Sequence, residues 1–478
     1  MNIDRRDCIK LVGGSLTGMY ALGLLGGCES LKKQIENRPT RRNIATLANN
    51  DPIVQAYRDA VTQMKALPNS DRRNWTRQAQ IHQDFCPHGN WYFLPWHRAY
   101  LFYFETIVRH LSGYAEFALP YWNWTCTPKI PAHFFGANNS LVDNTRSKGP
   151  NDSISTLVTG QDVMQDILAI TDFETFGSVA ATALRGGSGG GYGELEGTPH
   201  NSVHGWIGGN MGTFMSPLDP VFWCHHNMIE RCWWDWNITQ GKNNPSAPSW
   251  GNMSLANMFC DKDGNLITNL TVGITALYPV LSYQFNDTLL PCGRRFTGIN
   301  RSTLELREFL QKGGASQLKV QDRISAPSSQ AILVQGRSSS QIKLPQAATQ
   351  MVMKKSRQEQ RVILKINDVQ LTQEKDVFVR VFINPPSDVD PRSQLNNYYA
   401  GSFAFFGDGS HGGHAHGNTY HIDITNTVEN LLRQGLLSDR ADFNISLTAV
   451  SIDNEQVVPR GKIQLSGLEV LLTNGFAE

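Results

Sequence analysis

The sequence predicts a mainly α-helical first part, ending near residue 300, followed by an all-β C-terminal sandwich. Three observations carry this. Between about 45 and 300, apolar residues recur at helical spacing; His97, Leu101, Phe104, Val108 and Leu111 follow at steps of four, three, four and three. From about 346 the pattern turns period-two and β-branched, in runs such as RVILKINDVQL, DVFVRVFINPP and FNISLTAVSI. Between them, residues 301–345 are rich in Ser, Gln and Pro and read as a linker.

Each element follows in chain order. Residues 1–28 read as a leader: Arg5 and Arg6 precede an apolar run, Leu11 to Gly27, too short and too glycine-rich for a comfortable membrane span. The run resembles a twin-arginine export leader, with Cys8 where that pattern usually has Phe. It ends LLGGC, similar to a lipoprotein box with Cys28 as the lipidated residue. The expectation is therefore an exported protein, periplasmic or anchored to a membrane through Cys28. Residues 29–44 are polar and read as a tether, 45–300 as the helical domain and 346–478 as the sandwich.

Composition narrows the function. A net charge of +1 with no basic stripe argues against a nucleic-acid partner. Six cysteines follow the leader: Cys86, Cys126, Cys224, Cys232, Cys260 and Cys292. Export permits disulfides, but spacing does not give their pairing. No CxxC pair is present, which removes a zinc ribbon.

The histidines are not spread evenly. The windows 82–97 and 200–226 hold seven of the thirteen, in 43 residues where even spreading would put about one. His97 shares the apolar face of its helix, and Trp75, Ala79, His82 and Cys86 form a second such stripe. His200 and His204 are four apart, so both rings lie on one side of a helix. His226 shares a face with Ile229 and Trp233. A single histidine on an apolar face is usually a satisfied core residue; two clusters at ligand spacing point to a metal. Imidazoles without a paired carboxylate favour copper, with zinc as the other metal that fits.

The runs QAQIHQDFCPHGNWYFLPWHRAYLFYFE and TPHNSVHGWIGGNMGTFMSPLDPVFWCHHNMIER resemble the two copper motifs of the tyrosinase and polyphenol (catechol) oxidase family. MKALPNSDRRNW and LPYWNW are also similar to that family, and the likeness covers about residues 45 to 290. The sandwich more loosely resembles the domain that follows the oxidase in plant-type polyphenol oxidases.

The resemblance implies two copper ions. His82, His88 and His97 match the ligands of copper A; His200, His204 and His226 match those of copper B. His225 is then a packing neighbour. Asp219 and Pro220 fit the family pattern, whereas Glu230 stands where the family has Asp. Cys86, two before His88, matches a Cys-x-His that forms a thioether in related proteins. Glu196, four before His200, matches a water-holding carboxylate, and Asn201 a residue thought to orient that water. Phe214 aligns with a gate above copper A.

The implied reaction is oxidation of o-diphenols to o-quinones, with O2 ending as water. Hydroxylation of monophenols is expected beside it. Two other readings use the same ligands: an o-aminophenol oxidase and a haemocyanin-like O2 carrier. The family analogue of the sandwich covers the active site, so the enzyme is expected to be latent until a cut in the linker. His411, His414 and His416 in GDGSHGGHAHGN read as a solvated glycine-rich loop, with a weak extra metal site as the other reading.

Overall fold

A computed structural model describes residues 37–292, 319–325, 332–334, 337–343, 360–371, 376–393, 397–407, 418–437, 442–458 and 463–474. The leader with Cys28, most of the linker, and His411, His414 and His416 lie outside the described residues. Described helices of seven residues or more are α1 (Pro52–Ala66), α2 (Trp75–Phe85), α3 (Phe93–Ser112), α4 (Gln161–Ala169), α5 (Asn201–Ile207), α6 (Val221–Trp234) and α7 (Thr425–Arg433). The strands are β1 (Lys319–Ser325), β2 (Ile332–Val334), β3 (Arg337–Lys343), β4 (Gln360–Leu371), β5 (Val377–Ile383), β6 (Tyr399–Ala404), β7 (Asn418–Asp423), β8 (Asp442–Ser451), β9 (Ile463–Leu465) and β10 (Gly467–Asn474). Helices first and strands last match the predicted fold class.

The chain forms two compact units. The first takes the described parts of 1–87, 92–152 and 214–314; the second takes 88–91, 153–213 and the described part of 315–478. The expected division at the linker is therefore not how the contacts divide the chain. Residues 88–91 and 153–213 of the helical part group with the sandwich, and the expected linker needs correction too, because β1, β2 and β3 lie within 301–345 and pair into the sheets.

In the first unit, α1, α2, α3 and α6 surround a core rich in aromatic rings. Their starts are chemically marked. Asp51 accepts from Ile53 N–H ahead of Pro52, Asn74 accepts from Thr76 and Arg77 N–H, and Asp219 accepts from Val221 N–H. Gly113, at φ +68°, ends α3. The stripe read from sequence is buried at His97, Leu101, Phe104 and Val108.

The expected tether needs correction from Arg38 onward. Arg41 is fully buried, donates to Glu105 at 2.8 Å and to Asn227 at 2.9 Å, and stacks on Tyr283. A polar stretch reads as solvated, but here its charges are consumed by interior partners. Cys126 and Cys292 form a disulfide that closes this unit.

In the second unit, two antiparallel sheets enclose a core that includes Leu364, Val379, Tyr420, Leu447 and Val470. One runs β1-β10-β4-β9-β2, with β7 also on β4; the other runs β3-β8-β5-β6. Tyr192 joins that core from the helical half of the sequence. Its N–H donates to Thr419 O at 2.7 Å, its carbonyl accepts from His421 N–H at 3.0 Å, and its ring stacks on Tyr420 at 5.0 Å. This explains why 153–213 groups with the strands. Among the described residues, no helix is long and apolar enough to cross a membrane.

Candidate metal centre

The first unit brings three predicted histidines together. His82 on α2, His97 on α3 and His226 on α6 place their ligand atoms within 4.8 Å of one another. Each is buried because it lies on its helix's apolar face. Two rings are anchored through backbone. His82 Nδ1 meets Phe214 O at 2.7 Å, and His97 Nδ1 meets Phe93 O at 2.8 Å, one turn back along α3. A ring that donates from Nδ1 to a carbonyl carries its lone pair on Nε2, the tautomer a metal ligand needs. The His97 and His226 rings stack at 4.4 Å and 18°.

Their neighbours are placed as follows. The half-buried Phe214 holds His82 through its carbonyl, and its ring centre lies 6.3 Å from that of His82. Glu230 accepts from Arg98 Nε at 2.9 and 3.0 Å and from the Tyr283 hydroxyl. It therefore steadies the helix of His97 through the next residue. His225 is buried beside His226, ring centres 5.3 Å apart. Asp219 is paired with Arg146 and starts α6. Cys86 ends α2, is buried, and donates its N–H to His82 O.

The second unit brings together the other three. His88 lies on a loop before Gly89, which adopts φ +63°. His200 closes a wide turn, Glu196–His200, and His204 lies on α5. Ring centres are 5.6 Å apart for His88 and His200, and 4.6 Å for His200 and His204. His204 Nδ1 meets Met211 O at 2.6 Å; His200 Nδ1 meets Asn201 Oδ1 at 2.9 Å. Burial pulls His204 down to about 3, against the pull of the Met211 carbonyl, so the ring is neutral.

Glu196 is fully buried. Its Oε1 accepts from Gly89 N–H at 2.9 Å and its Oε2 from the Ser178 hydroxyl at 2.6 Å. Burial pushes its carboxyl up to about 8, opposed by those two donors. Asn201 turns Oδ1 to His200 and donates from Nδ2 to Ala404 O at 3.0 Å, at the end of β6.

Sequence reasoning missed Phe406. Its ring centre lies 4.7 Å from that of His88, 4.5 Å from His204 and 5.7 Å from His200. One signal was present. The strand run ends in two adjacent aromatics and a glycine, Phe405, Phe406 and Gly407, which breaks the period of two. Ser178, Arg98 and Tyr283 were also missed, because nothing in their spacing marks them.

Residues 59–165 and 144–239 match the model of the common central domain of tyrosinase, and 320–465 match a domain of unknown function. A tyrosinase of Hahella sp. (strain CCB-MM4) is 33% identical over 263 residues, 44% of this chain and 56% of that one. A chloroplastic polyphenol oxidase of Malus domestica is 27% identical over 402 residues, 73% of this chain and 66% of that one. Residues 59–239 of the chain carry the central domain of the tyrosinase family. That family is a type-3 binuclear copper family. The chain spans between about half and two thirds of the length of those two relatives. The solved structure of a latent aurone synthase (polyphenol oxidase) shares its fold, with a TM-score of 0.68 at 20% identity over 92% of this chain and 91% of that one.

The donor set of this tyrosinase-family chain fits a copper pair. Six buried imidazoles supply nitrogen donors without a carboxylate, and four are fixed through Nδ1.

Proposed function

We propose that this chain is a copper-dependent oxidase that takes o-diphenols to o-quinones with O2 and hydroxylates monophenols. The observation that carries the reading is the set of Nδ1 anchors on His82, His97, His200 and His204. His82, His88 and His97 hold copper A; His200, His204 and His226 hold copper B. A bound copper pair would supply two-electron redox chemistry, with two catechols oxidised for each O2 reduced to two waters.

The surrounding residues position substrate and protons. The Phe214 ring narrows the approach to His82. Glu196 and Asn201 hold a water that takes the proton of a monophenol. Each oxygen of Glu196 accepts one protein hydrogen bond and keeps a second lone pair for that water. Phe406 supports latency, because its ring takes up the space beside three of the histidines that a phenol ring would need. A cut between 301 and 345 that frees the sandwich raises activity. Cys86 joins His88 through sulfur: the S–H and C–H bonds break, the C–S bond forms, and the two electrons and two protons go to O2, so the joined peptide is two hydrogens lighter. Arg5 and Arg6 direct export, and Cys28 carries the lipid.

The test is metal analysis with catechol, o-aminophenol and tyramine assays on copper-loaded protein, before and after the cut. Two coppers per chain with quinone formation is the expected result. Copper uptake with no turnover of any substrate after the cut and separation of the fragment would sink the enzyme reading and leave the O2 carrier. Turnover of o-aminophenol alone would select the amine substrate, and no tyramine hydroxylation would remove the monophenol step.

A further inference from the structure

Ser178 stands in a backbone conformation that side chains avoid. Its φ is +91° and its ψ 150°, a region occupied almost only by glycine, at a cost of about 1–3 kcal/mol for other residues. It is also fully buried. A glycine would fit the backbone better, so the serine hydroxyl must supply something that a glycine cannot.

That hydroxyl both donates and accepts. It donates to Glu196 Oε2 at 2.6 Å and accepts from Gly193 N–H at 3.0 Å. The Gly193 backbone comes very close: a Cβ there would sit 2.4 Å from Ser178 N and 2.7 Å from Thr175 O. Only glycine permits that approach. Glu196 in turn accepts from Gly89 N–H, the amide next to His88. The result is one connected path: Gly193 N–H to Ser178 hydroxyl, Ser178 hydroxyl to Glu196, and Glu196 to the loop that carries His88.

We propose that Ser178 is a positioning residue for the copper site. Its strained backbone aims the hydroxyl at Glu196, and Glu196 fixes the loop that sets the direction of the His88 imidazole. Of the second unit's three histidines, His88 alone lies on a loop, so it depends most on such a hold. The inference rests on the reading of His88 as a copper ligand.

Two substitutions separate the hydroxyl from the strain. S178G removes both; S178A removes the hydroxyl and keeps the strain. In the copper-loaded full chain, both variants should lose copper to a chelator about 10-fold faster than wild type, the usual size for loss of a group that orients a ligand. The thermal midpoint of the metal-free protein should fall for S178A and hold or rise for S178G. Because Ser178 acts through Glu196, S178G combined with Glu196→Gln should release copper no faster than Glu196→Gln alone. Wild-type copper release in S178G, or effects of S178G and Glu196→Gln that multiply, would overturn the proposal. So would fast release in S178A alone, which would tie the effect to stability. A wild-type chain that takes up no copper fails the copper reading itself, and this inference with it.

Discussion

His82, His97 and His226 ride on three regular helices, whereas His88, His200 and His204 ride on a loop, a wide turn and a seven-residue helix. The first three inherit their direction from helical backbone, and two are anchored to main-chain carbonyls. Of the others, His204 also meets a main-chain carbonyl, Met211 O, but His200 is held by the Asn201 side chain, the His88 loop by Glu196, and Phe406 packs against all three rings. Buried acids divide the same way. Near the helical triad, Glu105 pairs with Arg41 and Arg109, Glu230 with Arg98, and Asp219 with Arg146. In the other unit, Glu196, Glu174 and Asp172 are satisfied mainly by neutral donors. One kind of backbone fixes geometry almost unaided, while the other needs a network around it.

The comparison can be broken at several strengths. The largest effect should come from the ligands. His97→Ala and His204→Ala should each cost the protein a copper and abolish catechol oxidation, as metal analysis and an assay would show. Retention of two coppers by either variant removes that triad from the site.

Next is Glu230→Ala. It leaves the Arg98 guanidinium buried without its carboxylate and should cost about 3–5 kcal/mol in denaturant unfolding. A loss below 1 kcal/mol would mean that helical backbone alone supports His97.

Glu105 and the acids held by neutral donors predict opposite pH dependences. Burial raises Asp172 to about 6, Glu174 to about 7 and Glu196 to about 8. Such groups bind more protons folded than unfolded, so the stability linked to them is complete below their unfolded values near 4 and is lost as pH rises toward 8. Burial also works to raise Glu105, but Arg41 and Arg109 outweigh it and hold it below the usual carboxylate range. Its contribution is present at neutral pH and is lost as pH falls below 4. The unfolding free energy of the metal-free protein should therefore fall between pH 5 and pH 8, by at most about 1.4 kcal/mol for each unit by which a carboxyl is raised, and the thermal midpoint with it. Glu174→Gln should flatten that slope. A slope unchanged in that variant removes Glu174 from the account.

The smallest effect is kinetic. Phe406→Ala should raise catechol oxidation by uncut protein about 10-fold, close to 1.4 kcal/mol. Unchanged activity would move latency to another part of the sandwich.

How much of this was legible follows from the same contrast. His82, His97 and His226 could be placed from periodicity, because an apolar stripe of period 3.6 says which face a ring takes. The order of helices then strands was equally readable. Arg41 was not, since a charged side chain in a polar stretch reads as solvated until its partners are seen. Ser178 and Phe406 act through contacts 18 and more than 200 residues away in sequence. No local pattern encodes such contacts. The disulfide between Cys126 and Cys292 spans 166 residues and was beyond spacing for the same reason.

Tyr192 lengthens the β7 edge by backbone hydrogen bonds to Thr419 and His421, four residues before Glu196. The sandwich is thus laced to this stretch by main chain as well as packed against it. If latency works as proposed, a cut in the linker would by itself leave these main-chain bonds and Phe406 in place until the fragment dissociates. Activation then becomes a question of residence time. Its half-life is set by the rate at which the fragment dissociates, and it should shorten with dilution or mild denaturant while the protease dose makes no difference once cutting is complete.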